Sequence, residues 1–251
     1  MHTVYRKIIL AVLFLFSIAV VAAQHSGKEL LLLRVYHFQE DRQEKLLDQY
    51  LQDQLLPMLH RQSVKTVGAF KAIANDTAAD KKIFVLMPLK DARHFQQLSL
   101  KAFRDTTNYS SVPFTRVETI LLEAFDLAPK LSTPAGLSQN RSEHIYELRS
   151  YESASDMAFR NKVKMFNEGG EIALFARLGF NAVFYGSVIA GSHMPNLMYM
   201  TSFNSIQDRE AHWKTFGGDA EWKTLSSLPE YQNNVSHMDI YLLKATTYSD
   251  F

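Results

Sequence analysis

The sequence predicts an α+β fold, with two tandem ferredoxin-like βαββαβ units pairing as an intramolecular dimeric α+β barrel. Three observations carry that prediction. First, short runs alternate between two faces, most clearly His144–Glu152, where Ile145, Glu147, Arg149 and Tyr151 share one face and Tyr146, Leu148 and Ser150 the other. Second, helix-period stretches separate such runs so that the order β-α-β-β-α-β occurs twice. Third, the halves align: Arg34 with Arg149, Tyr36 with Tyr151, Phe70 with Phe184, Val85 with Tyr199 and Ile120 with Ile240, at offsets of about 114–120 residues. A four-stranded sheet with both helices on one face leaves the other face bare. The second unit is the obvious cover, so the two sheets are expected to face each other.

The chain opens with a basic stretch containing Arg6 and Lys7, then the apolar run Ile8–Val21, then Val21-Ala22-Ala23 ahead of Gln24. This is the pattern of a cleaved signal peptide over residues 1–23. The apolar run is short against the ~20 residues that span a bilayer. The protein is therefore expected to be exported, to a periplasm or the extracellular space, with no membrane attachment after cleavage. There is no cysteine, which excludes disulfides, thiol catalysis and thiolate metal sites. Losing Arg6 and Lys7 with the leader moves the net charge from +1 to about −1, too little positive charge to argue for nucleic acid or an anionic membrane.

The first unit, residues 24–128, begins with a strand over Glu29–Phe38. Asp41 and Glu44 suggest a capped helix start, and Leu47, Leu51, Leu55 and Leu59 recur at helical spacing, with Pro57 expected to kink or shorten the last turn. Strands follow at Val64–Ala72 and Ile83–Leu89, then a helix capped by Asp91, the loop Thr106–Pro113 and a strand at Thr115–Phe125. Residues 129–142, rich in Pro, Ser and Gly, read as a linker.

The second unit, residues 143–251, repeats the order. A strand over His144–Glu152 leads to a helix capped by Ser155 that breaks at Gly169-Gly170, and a shorter helix stops at Gly179. Strands at Phe180–Ile189 and Asn196–Phe203 flank a turn. A helix capped by Ser205 is interrupted at Gly217-Gly218, Asp219 caps a further turn, and Val235–Leu243 closes the unit.

Tyr146-Glu147-Leu148-Arg149-x-Tyr151 resembles the opening strand of the NIPSNAP family, Arg209-Glu210-Ala211-His212-Trp213 with Asp219-x-Glu221-Trp222 resembles its second-helix motif, and Met165–Phe175 is similar to exported bacterial members. The likeness covers about residues 144–251. The first unit departs from it, with Leu32 where Glu147 stands and no tryptophan pair. The resemblance implies the dimeric α+β barrel superfamily, which holds haem-degrading monooxygenases, other small oxygenases, isomerases and binding proteins. It implies no settled reaction.

The closing strand, phased with its apolar set toward the helices, sets His237, Asp239 and Tyr241 beside Glu147, Arg149 and Tyr151. In such a pocket Arg149 holds a carboxylate or enolate oxygen and His237, oriented by Asp239, moves a proton, with Glu147 a third catalytic candidate. The competing reading is a set of ion pairs in which Arg149 neutralises Glu147 and Asp239. Glu168-Gly169-Gly170-Glu171 is a second candidate ligand contact, and His193, in a turn, a third. No two histidines have close metal-ligand spacing, so no metal is expected. No cofactor is predicted; on superfamily analogy haem is the alternative, with His193 or His212 as axial ligand. The expected partner is a small molecule, and a homo-oligomer is compatible with the fold.

Overall fold

The computed structural model describes residues 27–103, 113–135, 137–138 and 140–251. The predicted leader and most of the Thr106–Pro113 loop lie outside them. Among the described residues eight strands form: β1 (Leu30–Phe38), β2 (Gly68–Ala72), β3 (Lys81–Leu89), β4 (Arg116–Ala124), β5 (Ile145–Glu152), β6 (Asn181–Ala190), β7 (Asn196–Phe203) and β8 (His237–Ala245). The longer helices are α1 (Asp41–Tyr50), α2 (Leu56–Arg61), α3 (Ala92–Lys101), α4 (Asp156–Asn167), α5 (Glu171–Arg177), α6 (Ile206–Gly218) and α7 (Ala220–Ser227). None is long and apolar enough to cross a membrane among the described residues.

The strands close into one barrel in the order β1-β3-β2-β8-β5-β7-β6-β4. Each half thus contributes four adjacent strands, and two antiparallel seams join them. At one seam Phe70 faces Ala245 and Ala72 faces Leu243; at the other Glu123 faces Ser187 and Ala124 faces Gly186. Closure leaves no free sheet edge whose backbone groups would need other partners.

Because helices wrap the outside, both faces of most strands are covered. The inward face carries Leu31, Leu33, Val35, Phe70, Phe84, Tyr146, Leu148, Met200 and Leu243, which pack as a single barrel core. Phe251 closes one end of it against Phe70 and Tyr146. The outward face carries two separate cores. In the first half, Leu47, Leu51, Leu55 and Leu98 lie on Leu32, Tyr36, Val85 and Met87. In the second half, Phe166, Phe175 and Phe216 lie on Tyr151, Tyr185, Tyr199 and Phe203.

Two local expectations are corrected. Helix α1 is capped by Glu40, whose backbone N–H donates to Gln43 Oε1, so the capping pair sits one residue before Asp41 and Glu44. Pro57 does not shorten the helix, which runs on to Arg61. A π-helical stretch, Leu51–Leu55, joins α1 to α2 and places Pro57 in the first turn of α2, where a missing N–H costs nothing. The predicted caps Asp91, Ser155, Ser205 and Asp219 each accept a backbone N–H from the turn they open.

The seam between β4 and β6 is tightest at Gly186, where an added Cβ would stand 3.1 Å from the Glu123 carbonyl oxygen and 3.3 Å from Leu122 Cβ. Gly186→Val is expected to lower stability by ~1–3 kcal/mol. Urea unfolding followed by circular dichroism checks this, and both halves should lose structure in one transition because the seam is shared.

Candidate functional site

Two polar clusters stand out, and a barrel wall separates them. The first lies on the outward face of β5, beneath α4, α5 and α6. Glu147 is fully buried. Its Oε1 accepts from Arg149 Nε at 2.6 Å and from the Arg209 guanidinium at 3.1 Å, and its Oε2 accepts from Arg209 Nε and Trp213 Nε1, each at 2.7 Å. Arg209 and Trp213, one helical turn apart on α6, reach it together. Arg149 also stacks on the Trp213 ring at 3.8 Å and donates to the Tyr151 hydroxyl, which bonds the Tyr199 hydroxyl at 2.9 Å.

Burial alone would raise the Glu147 pKa, but the Arg209 hydrogen bond and the Arg149 charge outweigh it and hold the carboxylate below its usual range. Burial pushes the Tyr199 phenol well up, so it remains a neutral hydrogen-bonding group. Beside this network Lys162 Nζ donates to Glu171 Oε2 at 2.9 Å, both groups buried. Here burial dominates and raises the Glu171 pKa against the Lys162 charge.

This geometry corrects the expected pocket. Across β5 and β8, Glu147 faces Leu242, Arg149 faces Ile240 and Tyr151 faces Met238. His237, Asp239 and Tyr241 face Glu152, Ser150 and Leu148, on the inward side of the barrel. The polar set of β8 and the Glu147 set of β5 therefore have opposite parity and do not meet. Arg149 neutralises Glu147, as the ion-pair reading expects, but not Asp239.

The Glu168–Glu171 segment resolves into a helix break. Gly169 N–H donates to the Lys164 carbonyl, a Cβ on Gly169 would stand 2.6 Å from the Met165 carbonyl oxygen, and Gly170 has φ +90. Both glycines are thus required by the turn that lets α5 fold back. Glu168 points to solvent, and only Glu171 joins the buried network.

The second cluster is the polar mouth of the barrel, opposite the Phe251 end. A cavity of about 60 Å³ there is lined by His37, Lys82, Glu118, Ser150, His193, Asn196, Asp239 and Tyr241 among others, with Val35, Phe84, Ile120 and Met198 forming its apolar floor. Both halves supply walls. His37 Nδ1 lies 2.9 Å from Asp80, and Glu118 is paired with Arg116 and bonded by Ser192 at 3.0 Å. Burial opposes ionisation of Glu118, yet the bonds from Arg116 and Ser192 prevail and keep it a carboxylate. Burial, then the Asp239 charge, pushes the Tyr241 phenol up to about 12, so its proton stays on as a donor.

At the rim His193 Nδ1 lies 2.8 Å from Glu152 Oε1, and His237 Nε2 lies 3.5 Å from Asp239 Oδ1. These imidazole–carboxylate pairs are suited to proton transfer or metal ligation. The mouth thus gathers four predicted site residues, His193, His237, Asp239 and Tyr241, and separates them from Glu147, Arg149, Tyr151 and Glu171. A larger groove of about 670 Å³, lined by Lys28, Lys65, Lys90 and His94 on the first half, holds none of the predicted site residues.

Sequence inspection misses Arg209, Lys162 and Tyr199 in the buried network and His37, Glu118, Ser150, Glu152 and Asn196 at the mouth. The first group had one usable signal: Arg209 and Trp213 are spaced to share a helix face. The residues present do not fit haem. The His212 ring is packed edge-on against Phe180 and Phe203, while His193 borders a cavity far below the ~300–1,000 Å³ of a cofactor pocket.

Removing the acceptor at the centre of the buried network leaves Arg149 and Trp213 with unmatched donors. Glu147→Ala is expected to cost ~3–5 kcal/mol in denaturant unfolding. Because the folded-state pKa of Glu147 is depressed, its contribution is fully present above the ordinary value of 4.5 and is lost as pH falls through the lower folded value. Glu147→Gln should therefore flatten the stability-versus-pH curve on the acid side of 4.5, measured by urea midpoints across pH.

Two crystal structures share this fold, and a third resembles part of the chain. A crystal structure of an anthrone oxidase-like protein superposes with TM-score 0.59 at 11% identity, over 88% of this chain and 93% of that one. A cyanide complex of a mutant chlorite dismutase from Candidatus Nitrospira defluvii gives 0.50 at 8% identity, over 90% and 93%. A NIPSNAP family protein from Agrobacterium tumefaciens gives 0.39 at 20% identity, over 43% of this chain and 99% of that one. No curated protein matches in sequence. The NIPSNAP family model matches residues 146–250, from the β5 strand that carries Glu147 and Arg149 through α6 and β8, and this part of the chain is a NIPSNAP domain.

Proposed function

We propose that this is an exported protein that binds a small polar molecule in the mouth of its barrel. The carrying observation is the cavity itself: an apolar floor, a polar rim of His37, Glu118, Ser150, Asn196, Asp239 and Tyr241, and walls from both halves. Small-molecule sites combine apolar surface with placed polar groups, and the volume of about 60 Å³ limits the occupant to a few non-hydrogen atoms. The Glu147–Arg149 network, by contrast, has its donors and acceptors matched to one another and serves to fix α6 on the sheet.

Charge narrows the ligand class. Asp80, Glu118, Glu152 and Asp239 outnumber Lys82 and Arg116 at the mouth, and those two cations are already paired with Asp80 and Glu118. A neutral or cationic compound suits this balance better than an organic acid, whose natural partner, Arg149, faces the other side of the wall. The matched βαββαβ order of the two halves fits a tandem duplication in which the mouth arose between copies. The fold relatives share too little sequence to lend a reaction.

A thermal-shift screen over neutral, cationic and anionic metabolites, hemin included, tests this reading. A neutral or cationic compound should raise the melting temperature of the wild type, and Tyr241→Phe with Asp239→Asn should abolish the rise. A rise that survives both changes, or that only hemin or organic acids produce, contradicts it. Expression of the whole chain with its leader should yield a protein beginning at Gln24 by intact-mass analysis; an uncleaved chain contradicts export through this leader.

A further inference from the structure

We propose that the rim of the barrel mouth binds a divalent first-row transition-metal ion, with zinc as the representative, through Glu152, His237 and Asp239, and with His193 as fourth ligand. The proposal deepens the reading of the mouth as a binding site and rests on it. Glu152 ends β5, and His237 and Asp239 alternate on the same inward face at the start of β8, with Glu152 directly opposite His237. One ligand atom from each of the three can be chosen so that all lie within 4.8 Å of one another.

Zinc bonds to imidazole nitrogen and carboxylate oxygen are ~2.0–2.2 Å long, which puts donors around one ion roughly 3–4 Å apart. The observed spacing is thus within small side-chain rotations of a coordination shell. The turn between β6 and β7 adds His193, whose Nδ1 is already 2.8 Å from Glu152 Oε1. Two imidazoles and two carboxylates form a donor set suited to zinc and its neighbours rather than to calcium or magnesium.

A second observation points to a ligand independently. Asn196 is 2% exposed, directly opposite Glu152 across β5 and β7, and lines the cavity. Its Nδ2 donates to Ser150 Oγ at 2.8 Å, but its Oδ1 has no hydrogen-bond partner. A buried acceptor left open is costly unless something donates to it, and a water on a neighbouring metal ion is such a donor. The local charge also calls for a cation. Among the described residues the side-chain partners of Glu152 and Asp239 are imidazoles and the Tyr241 phenol, with no lysine or arginine.

Isothermal titration of zinc chloride into chelator-treated, desalted protein tests the site without any organic ligand. One zinc ion per chain is expected, with affinity reduced tenfold or more in His237→Gln and in Glu152→Gln and lost in the double variant. Both residues lie at the rim, so the variants should keep the wild-type melting transition in the absence of metal. His60→Gln, at the distant His60–Asp250 pair, should bind as the wild type does. No saturable binding, binding that survives the double change, or equal loss in His60→Gln overturns the proposal. If an organic compound stabilises the protein but zinc does not bind, the metal site alone falls. Zinc binding in a chain that no organic compound stabilises supports the metal site and removes the organic-ligand reading alone.

Discussion

Closure of the sheet is the constraint on which the rest of the structure depends. Neither half covers the inward face of its own four strands, and the seams between β2 and β8 and between β4 and β6 turn two open sheets into one wall. Only after closure do Leu33, Phe84, Leu148 and Met200 share one buried interior. Closure also brings His37 and Glu118 from the first half to the same rim as Asp239 and Tyr241 from the second. The mouth therefore has no counterpart in either half alone.

The outward face of β5 meets a different demand. Burying Glu147, Arg149 and Tyr151 under helices is tolerable only because each charge and hydroxyl finds a partner: α6 brings Arg209 and Trp213, and β7 brings Tyr199. Such a network sets the position of α6 more sharply than apolar packing would, since a small slide of the helix breaks several bonds at once. The first half has a reduced counterpart. Arg34 Nε donates to the Tyr36 hydroxyl at 3.2 Å and the guanidinium stacks on Phe103, but no carboxylate stands where Glu147 does. The charged lock thus belongs to the NIPSNAP domain.

Much of this was legible in the residues. The alternation in His144–Glu152, the caps at Ser155 and Ser205 and the repeated element order all correspond to observed features. Parity was not. In a barrel wrapped by helices both faces of a strand are covered, so alternation says which residues travel together and not which set points inward. That Glu147 stands opposite Leu242 and Arg149 opposite Ile240, on the face of the wall away from His237 and Asp239, follows from register, which no single strand encodes. The grouping of Glu152 with His237 and Asp239, and the contact of Glu152 with His193, were hidden for the same reason, since these residues are far apart in sequence and meet only through the β5–β8 pairing and the β6–β7 turn.

The central claim is that the polar mouth, and not the charged layer beneath the helices, receives the ligand. A crystal structure of the protein grown with the compound that stabilises it most tests this directly. Density for the compound between Ser150, Asp239 and Tyr241, with the Glu147–Arg149–Arg209 bonds unchanged, is the predicted result. Density beside Arg149, with α6 displaced and Glu147 released from Arg209 and Trp213, would contradict it.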